Sequence, residues 1–128
     1  MNVRYLSISA ALLFSAVAHA QNQNQHKPFV PPDLVNVSYG PHERNVFDLW
    51  KAKSDKPTPL VIFIHGGGFV AGDKGNVSAV LVDTCLQHGV SVAAINYRYS
   101  TQAPYPGPMQ DGARAVQFLG KKNVHEIA

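Results

Sequence analysis

The sequence contains a single cysteine, Cys85, so no disulfide can form within one chain. Lys and Arg number 11 against 8 Asp and Glu, for a formal charge of +3, and the only adjacent basic pair is Lys121–Lys122. A nucleic-acid-binding surface requires basic residues clustered on one face, so we expect no nucleic-acid partner. With 128 residues, of which 45% are hydrophobic and 15% charged, the composition is that of one small globular domain.

Long apolar runs are also missing, apart from one near the N-terminus. Residues 1–20 begin with the cationic Arg4, continue through an apolar stretch and end in the small-residue pattern Ala18-His19-Ala20. The stretch is shorter than the roughly 20 residues that a transmembrane helix needs. We therefore predict a signal peptide over 1–20, cleaved after Ala20. This implies export to the periplasm or the extracellular space without a stable membrane anchor.

The next residues indicate a short lead-in followed by four strands. Residues 21–34 are polar and proline-punctuated, which predicts a flexible segment before a folded domain over 35–128. Alternating patterns predict strands within 35–52, joined as a hairpin by the turn at 40–43. The runs LVIFI (60–64) and VSVAAINY (90–97) are continuously apolar, which is typical of strands buried on both faces.

Two helices are predicted between and after these strands. The first has a stripe at helical spacing that would place the cysteine in the core, and Gly89 marks its end; the stripe comprises Val77, Val80, Leu81, Thr84, Cys85 and His88. The second begins at Met109, with Pro108 in its first turn and Gly112, Ala113, Val116 and Leu119 on one side. Alternating strands and helices predict an α/β fold with a mostly parallel sheet. Ligands bind such sheets at the carboxyl ends of strands.

The segment His65-Gly66-Gly67-Gly68-Phe69 follows strand 60–64 at such an end, and three interpretations are open. It matches a dinucleotide-binding glycine pattern, but the helical stripe starts too late and no acidic residue ends the next strand. It could be a tight turn that simply needs glycine. It could also be an oxyanion hole, in which consecutive glycines let backbone N–H groups point at a developing negative charge. The third interpretation explains the histidine and all three glycines.

These residues resemble the α/β-hydrolase superfamily, and specifically the hormone-sensitive-lipase-like esterases. The resemblance rests on His65 to Phe69 with Gly72-Asp73, and covers residues 35 to 122. A second block, Asn96-Tyr97-Arg98-Tyr99 followed by Pro104-Tyr105-Pro106 and Asp111, is similar to that family's D-Y-R-L-A-P-E…P…D stretch. Asn96 replaces the family's Asp, Tyr99 its Leu, and residues 100–102 its A-P-E.

The resemblance implies roles for individual residues. The N–H groups of Gly67 and Gly68 would be the oxyanion donors, and Gly66 would be needed for the turn. His65 would support the loop by hydrogen bonds, or merely end the strand. Two further structural roles are implied. Arg98 would pair with Asp111, and Asp73 would cap the loop or the following helix.

The nucleophile of the family lies in a G-x-S-x-G motif, and no serine of this sequence has glycine two residues before and after it. His125 and Glu126 are interpreted as helix-end residues, so no member of a catalytic triad is assigned. We therefore expect the sequence to correspond to the N-terminal half of an esterase, a truncated α/β-hydrolase fold. The edge of strand 60–64 would then lack a neighbour, and the isolated chain would be poorly stable and inactive.

The histidines share no metal-ligand spacing, so we predict no metal and no cofactor. The function indicated is carboxylic ester hydrolysis on a small-molecule ester, with this chain supplying the oxyanion-hole part. Two alternatives are kept: a nucleotide-binding α/β module, and a short protein that binds acyl or carboxylate groups without catalysis. The oligomeric state is not indicated by the sequence.

Overall fold

The computed structural model describes residues 30–127. The predicted signal peptide over 1–20, and most of the predicted lead-in over 21–34, lie outside this range. Within it, no helix is both long enough and apolar enough to cross a membrane.

Four strands form one mixed sheet in the order β1-β2-β4-β3. The strands are β1 (Leu34–Ser38), β2 (Val46–Trp50), β3 (Leu60–Ile64) and β4 (Ser91–Ile95). The predicted hairpin is present, since β1 and β2 pair antiparallel. β2 is also antiparallel to β4, whereas β3 and β4 run parallel and in register from Leu60↔Ser91 to Ile64↔Ile95. The parallel pair brings the carboxyl ends of β3 and β4 together.

The helices cover opposite faces of the sheet. They are α1 (Ala79–Gln87) and α2 (Gly107–Gly120), with 3₁₀ turns at Lys74–Asn76 and Val124–Glu126. Each helix packs on the sheet to form one hydrophobic cluster. Successive residues of β4 point to opposite faces, so alternate residues of the strand belong to the same cluster. Ala93 and Ile95 pack with Leu119 of α2, while Val92 and Ala94 pack with Val82 of α1. All five residues of β4 are buried, as predicted.

The buried face of helix α1 and its flanking residues overlaps the predicted stripe only in part. It begins after Ser78, whose hydroxyl accepts a hydrogen bond from the N–H of Leu81. Ala79 and Val82 are buried and Cys85 is partly buried, whereas the predicted inward residue Val80 is 73% exposed. Thr84 and His88, also in the predicted stripe, are exposed. Val77, Leu81 and Cys85 of the predicted stripe do pack in the core cluster with Val82. Because residues 79–82 are all apolar, the buried face extends from that stripe to Ala79 and Val82.

The buried face of helix α2 also differs in part from the predicted one, although Leu119 is buried as predicted. It starts at Gly107, before the predicted Met109, with Pro108 in its first turn as expected. Ala113 and Val116 are exposed rather than inward. The buried residues of its inner face are Pro108, Asp111, Ala115 and Leu119. Asp111, which the resemblance paired with Arg98, is held inside by the ion pair described below.

Strand β3 is an edge strand of the described sheet, since between residues 30 and 127 it pairs only with β4. The prediction that 60–64 is buried on both faces is therefore wrong for this part of the chain. Its residues are half-buried, and Ile64 is 52% exposed. The open edge expected from the resemblance is present.

Candidate active site

The site lies where β3 and β4 end side by side. Ile64 and Ile95 are register partners, so His65 and the Asn96-Tyr97 pair leave the sheet next to each other. His65 is only 3% exposed, and its ring stacks on that of Tyr97 with centroids 4.4 Å apart. The Tyr97 hydroxyl donates a hydrogen bond to the backbone oxygen of His65 at 2.9 Å. Burial raises the pKa of Tyr97, although the nearby Arg44 opposes the shift, so the phenol stays protonated and able to donate.

The glycine segment forms a tight turn of left-handed backbone. φ is +119° at Gly67, +60° at Gly68 and +63° at Phe69, the last value being rare for an aromatic residue. The N–H groups of Val70 and Ala71 both donate to the Gly67 oxygen at 3.1 Å. A Cβ at Gly67 would lie 2.0 Å from the Ala71 oxygen, so no other residue fits this conformation.

The backbone conformation at Gly66 does not require glycine. Its φ is not in the left-handed region, and a Cβ there would meet nothing within 4 Å. The sequence-based expectation that Gly66 is needed for the turn is therefore not met by its backbone. Gly72 takes that place, because it has φ +102° and a Cβ there would lie 2.3 Å from the Gly66 oxygen and 2.4 Å from Nδ1 of His65.

The N–H groups of Gly67 and Gly68 are held in fixed directions by their own peptide planes. In a trans peptide the N–H points away from the preceding carbonyl oxygen, and both peptides here are trans. The Gly66 oxygen faces Nδ1 of His65 at 2.7 Å, so the N–H of Gly67 points away from the ring. The Gly67 oxygen is inside the turn, so the N–H of Gly68 points out of it.

Both of these N–H groups are available to a ligand. In the part of the chain that the structure describes, neither donates a hydrogen bond to a protein acceptor. Gly66, Gly67 and Gly68 are exposed. Two adjacent outward donors on a turn form a concave site for an anion or for an oxygen on which negative charge develops.

Arg44 joins the two ends of this loop, and no sequence pattern indicated this residue. From the turn between β1 and β2, its Nε donates to the Tyr97 oxygen at 2.8 Å. One terminal nitrogen donates to the Gly72 oxygen at 3.2 Å and lies 3.5 Å from Nε2 of His65. Its guanidinium carbon lies 3.9 Å from the centre of the Tyr99 ring, a cation–π contact. These partners are 21 or more residues away in sequence, so no local motif could reveal them.

Asp73 caps the 3₁₀ turn, as the sequence predicted. One carboxylate oxygen accepts from the Gly75 N–H and the other from the side-chain amide of Asn96, both at 2.8 Å. Partial burial alone would raise the pKa of Asp73, but these two hydrogen bonds outweigh it and hold the pKa below its usual value. Asn96 also accepts from the N–H of Lys74. An ionised Asp at position 96 could not donate to Asp73 in this way.

The predicted pair between Arg98 and Asp111 is present. Asp111 is fully buried and accepts hydrogen bonds from the Arg98 backbone N–H, Nε and a terminal nitrogen at 2.8 to 3.0 Å. Arg114 also donates to it at 3.1 Å. Desolvation would raise the pKa of this carboxyl, but the hydrogen bonds from Arg98 dominate and lower the pKa. The pair anchors the segment after β4 to helix α2.

The remaining candidates do not join the site. Between residues 30 and 127, no three His, Cys, Asp or Glu residues are grouped so that they could hold a metal ion. His125 and Glu126 lie in the C-terminal 3₁₀ turn. Helix α1 begins at Ala79, well beyond the glycine turn, so its N-terminus does not face the turn as a dinucleotide site requires. Over the same range, no serine hydroxyl forms a hydrogen bond with a histidine.

Comparison with known proteins decides the family. A family model described as BD-FAE matches residues 47–126, more than half of the chain. The chain belongs to the BD-FAE family. As the motifs indicated, the chain belongs to the hormone-sensitive-lipase-like esterase family of the α/β-hydrolase superfamily, which is a family of carboxylic ester hydrolases.

Individual relatives agree with this assignment. The chain is 36% identical over 89 residues to the carboxylic ester hydrolase LipN of Mycobacterium tuberculosis. The aligned region covers 69% of this chain and 24% of the relative. It is 27% identical over 108 residues to an esterase of Gibberella moniliformis, covering 81% and 34% respectively. The chain thus spans about a third or less of the length of these curated relatives.

Solved structures show the same fold. A truncated form of a carbohydrate esterase from gut microbiota superposes with a TM-score of 0.65 at 24% identity, over 80% of this chain and 37% of the other. An inhibited esterase B of Lactobacillus rhamnosis gives a TM-score of 0.59 at 23% identity, over 87% of this chain and 38% of the other. The predicted α/β-hydrolase fold class is therefore confirmed, with a mixed sheet of four strands in the described part.

Proposed function

We propose that this chain provides the oxyanion-binding part of a carboxylic ester hydrolase, and that Gly67 and Gly68 are the donors. The observation that carries the proposal is the turn at 67–70. Its two outward N–H groups have no acceptor between residues 30 and 127, and both peptide planes are fixed by hydrogen bonds that their carbonyl oxygens accept. Because the chain belongs to a family of ester hydrolases, we infer that these two N–H groups bind the oxyanion of an ester intermediate.

Ester hydrolysis passes through a tetrahedral intermediate in which the former carbonyl oxygen carries a negative charge. Donors that already point at that oxygen stabilise it without reorganising, and loss of one such donor costs on the order of 100-fold or more in rate. Gly67 and Gly68 are adjacent and unobstructed, so a tetrahedral oxygen can reach both N–H groups at once. The substrate class we propose is a small-molecule carboxylic ester, with no cofactor.

A tetrahedral anion tests the donors directly. We expect a short alkylphosphonate monoester, titrated into the ¹⁵N-labelled chain, to shift the amide resonances of Gly67 and Gly68 more than those of any other residue. Gly67→Ala is the matched variant, because its Cβ would collide with the Ala71 oxygen and deform the turn. If the two glycine amides do not respond in the unmodified chain, the oxyanion proposal is rejected.

The alternative hypothesis, that the chain is a nucleotide-binding module, predicts a different result in the same kind of titration. A nucleotide di- or triphosphate should then shift the glycine amides at lower concentration than the phosphonate. The position of α1, which starts at Ala79, argues against this outcome. A phosphonate response without ester turnover fits a protein that binds acyl or carboxylate groups without catalysis as well as an oxyanion-binding part.

We also propose that the chain is exported and that the signal peptide is removed after Ala20. The support is the pattern of a cationic start, an apolar stretch and Ala18-His19-Ala20. Intact-mass measurement of the secreted protein checks it, since the mature chain would then begin at Gln21.

A further inference from the structure

We propose that Arg44 is a positioning residue that selects the tautomer of His65 and thereby sets the direction of the Gly67 N–H. The contacts of Arg44 are independent of any substrate. The effect of Arg44 on ester hydrolysis, through the direction of the Gly67 N–H, rests on the oxyanion function proposed above.

The first step concerns which nitrogen of His65 carries a proton. A terminal nitrogen of Arg44 lies 3.5 Å from Nε2 of the ring. A guanidinium has only donors and stays charged in proteins, so the nitrogen facing it must act as the acceptor. A proton on Nε2 would oppose one N–H to another and bring the imidazole hydrogen against a cation. Arg44 therefore favours the neutral ring with its proton on Nδ1.

The second step passes from the ring to the backbone. Nδ1 lies 2.7 Å from the Gly66 oxygen, and a carbonyl oxygen can only accept, so the proton on Nδ1 is the one that this bond requires. The bond holds the Gly66 oxygen towards the ring and turns the Gly67 N–H outward. In the other tautomer a ring lone pair would face the carbonyl oxygen. That repulsion would favour a flipped peptide, with its oxygen where the oxyanion should bind.

The third step is that Arg44 is itself held in place. Its Nε donates to the Tyr97 oxygen at 2.8 Å, and a terminal nitrogen donates to the Gly72 oxygen at 3.2 Å. The Tyr99 ring lies beneath the guanidinium carbon at 3.9 Å, and the Tyr99 hydroxyl also donates to the Gly72 oxygen. A planar fork with several donors can make all these contacts at once, whereas a lysine ammonium cannot.

The His65 ring is also fixed against rotation. It is stacked on Tyr97 at an interplanar angle of 14° and is 3% exposed. A ring flip would place Cδ2 in the position of Nδ1 and Cε1 in the position of Nε2, so both hydrogen bonds would be lost. The tautomer is therefore set by the two partners, Arg44 on one side and the Gly66 oxygen on the other.

The test reads the tautomer by NMR in the full chain, with ¹⁵N-labelled histidine and long-range proton–nitrogen correlation. In the unmodified chain we expect His65 to carry its proton on Nδ1. Arg44→Met keeps a long side chain but removes the donors, and should lower the ratio of Nδ1-H to Nε2-H forms by about tenfold, the effect of roughly one hydrogen bond. Arg44→Lys keeps the charge and should restore part of the ratio.

Arg114→Met is the matched control. Arg114 is an arginine whose side chain is 43% exposed, and between residues 30 and 127 its hydrogen bond goes to Asp111 on α2 and not to the loop. We expect this variant to leave the His65 tautomer unchanged. An unchanged tautomer in Arg44→Met, with the Tyr97 contacts intact, would overturn the proposal, as would a proton on Nε2 in the unmodified chain. The position of the proton in the unmodified chain can be measured, and can overturn the proposal, even if Arg44→Met does not fold.

A second readout separates this proposal from the oxyanion function. In Arg44→Met, the phosphonate response of Gly67 should fall more than that of Gly68, because the Gly68 peptide is fixed by the turn and not by His65. Absence of any phosphonate response in the unmodified chain rejects the oxyanion function but leaves the tautomer result standing. Equal losses at the two glycines contradict the link from Arg44 to Gly67.

Discussion

His65 acts on the backbone of its own loop and not on a substrate. Its ring is buried against Tyr97 and its Nδ1 faces the Gly66 oxygen, so the imidazole is fully engaged within the protein. The groups left free to meet a ligand are main-chain N–H groups. We expect substitutions at Gly67 and Gly72 to disturb the loop, because a side chain there would strike the backbone or the His65 ring.

Alanine substitution at two glycines of the loop should give opposite results. Gly72→Ala places a Cβ 2.3 Å from the Gly66 oxygen and 2.4 Å from Nδ1 of His65, so it should break the hydrogen bond between them. Besides the clash, the left-handed backbone there costs roughly 1–2 kcal/mol for any residue with a Cβ. Gly66→Ala meets no neighbour and should change the free energy of unfolding by less than about 1 kcal/mol.

Chemical denaturation and the amide spectrum of both variants check this prediction. We expect Gly72→Ala to shift the resonances of the whole 65–72 loop, while Gly66→Ala shifts only its immediate neighbours. Equal destabilisation by the two substitutions would contradict the steric account.

At the scale of elements, each helix lies on the sheet with a face that periodicity alone did not select. In α2 the deciding residue is Asp111, which is fully buried beneath Arg98. Once that carboxylate faces inward, Ala115 and Leu119 follow it at helical spacing, and Ala113 and Val116 turn outward. An ion pair between distant segments thus sets the rotation of the helix.

Asp111→Asn should destabilise the chain by about 3–5 kcal/mol, the usual cost of leaving one partner of a buried ion pair uncompensated. The hydrogen bonds from Arg98 lower the pKa of Asp111 in the folded state. A lowered carboxyl pKa contributes stability that is present above the unfolded-state pKa, near 3.9, and is lost as pH falls through the folded-state value. Acid unfolding should therefore be less steep in the variant.

Denaturant unfolding of both proteins at pH 7 and at a series of pH values below 4 measures these effects. Arg114→Gln is a suitable control, because the Arg114 side chain is 43% exposed and a pair with so exposed a partner contributes about 1 kcal/mol or less. A neutral effect of Asp111→Asn at pH 7 would contradict the anchoring role of the pair.

The edge of β3 is a second feature of this scale. An unpaired strand edge with apolar side chains can pair with the edge of another chain, and Ile64 is 52% exposed there. We expect Ile64→Lys to reduce concentration-dependent self-association, since a charged side chain on an edge opposes strand addition. Val80→Lys changes an even more exposed apolar residue, 73% exposed on α1, and should not reduce it comparably.

Light scattering or sedimentation velocity at several concentrations compares these variants with the unmodified chain. The same reduction in both variants would indicate that general surface hydrophobicity causes association, and would exclude the strand edge as its specific cause.

At the scale of the whole molecule, the described residues build two clusters on either side of one sheet, but the sheet ends at the half-buried β3. The part of the BD-FAE chain that aligns with its relatives covers only 34% of one and 24% of another. We therefore propose that the 21–128 chain is only marginally stable by itself and has no esterase activity, because an oxyanion site without an attacking group has no charge to stabilise.

A chromogenic short-acyl ester assay on the purified 21–128 chain measures this directly. The expected rate equals that of buffer and of the Gly67→Ala variant. Clear turnover above the variant would show that the chain contains its own nucleophile, and would make the serine hydroxyls of residues 30–127 the first to be substituted.

The sequence by itself determined the strands, the hairpin, the glycine turn and the residues His65, Gly67 and Gly68, because these depend on local periodicity and on a motif contained within a few positions. The pair between Arg98 and Asp111 followed from the resemblance. The tertiary structure alone decided the inward faces of α1 and α2, the mixed direction of the sheet and the role of Arg44. Those features depend on contacts between segments 13 to 53 residues apart, which no local pattern encodes.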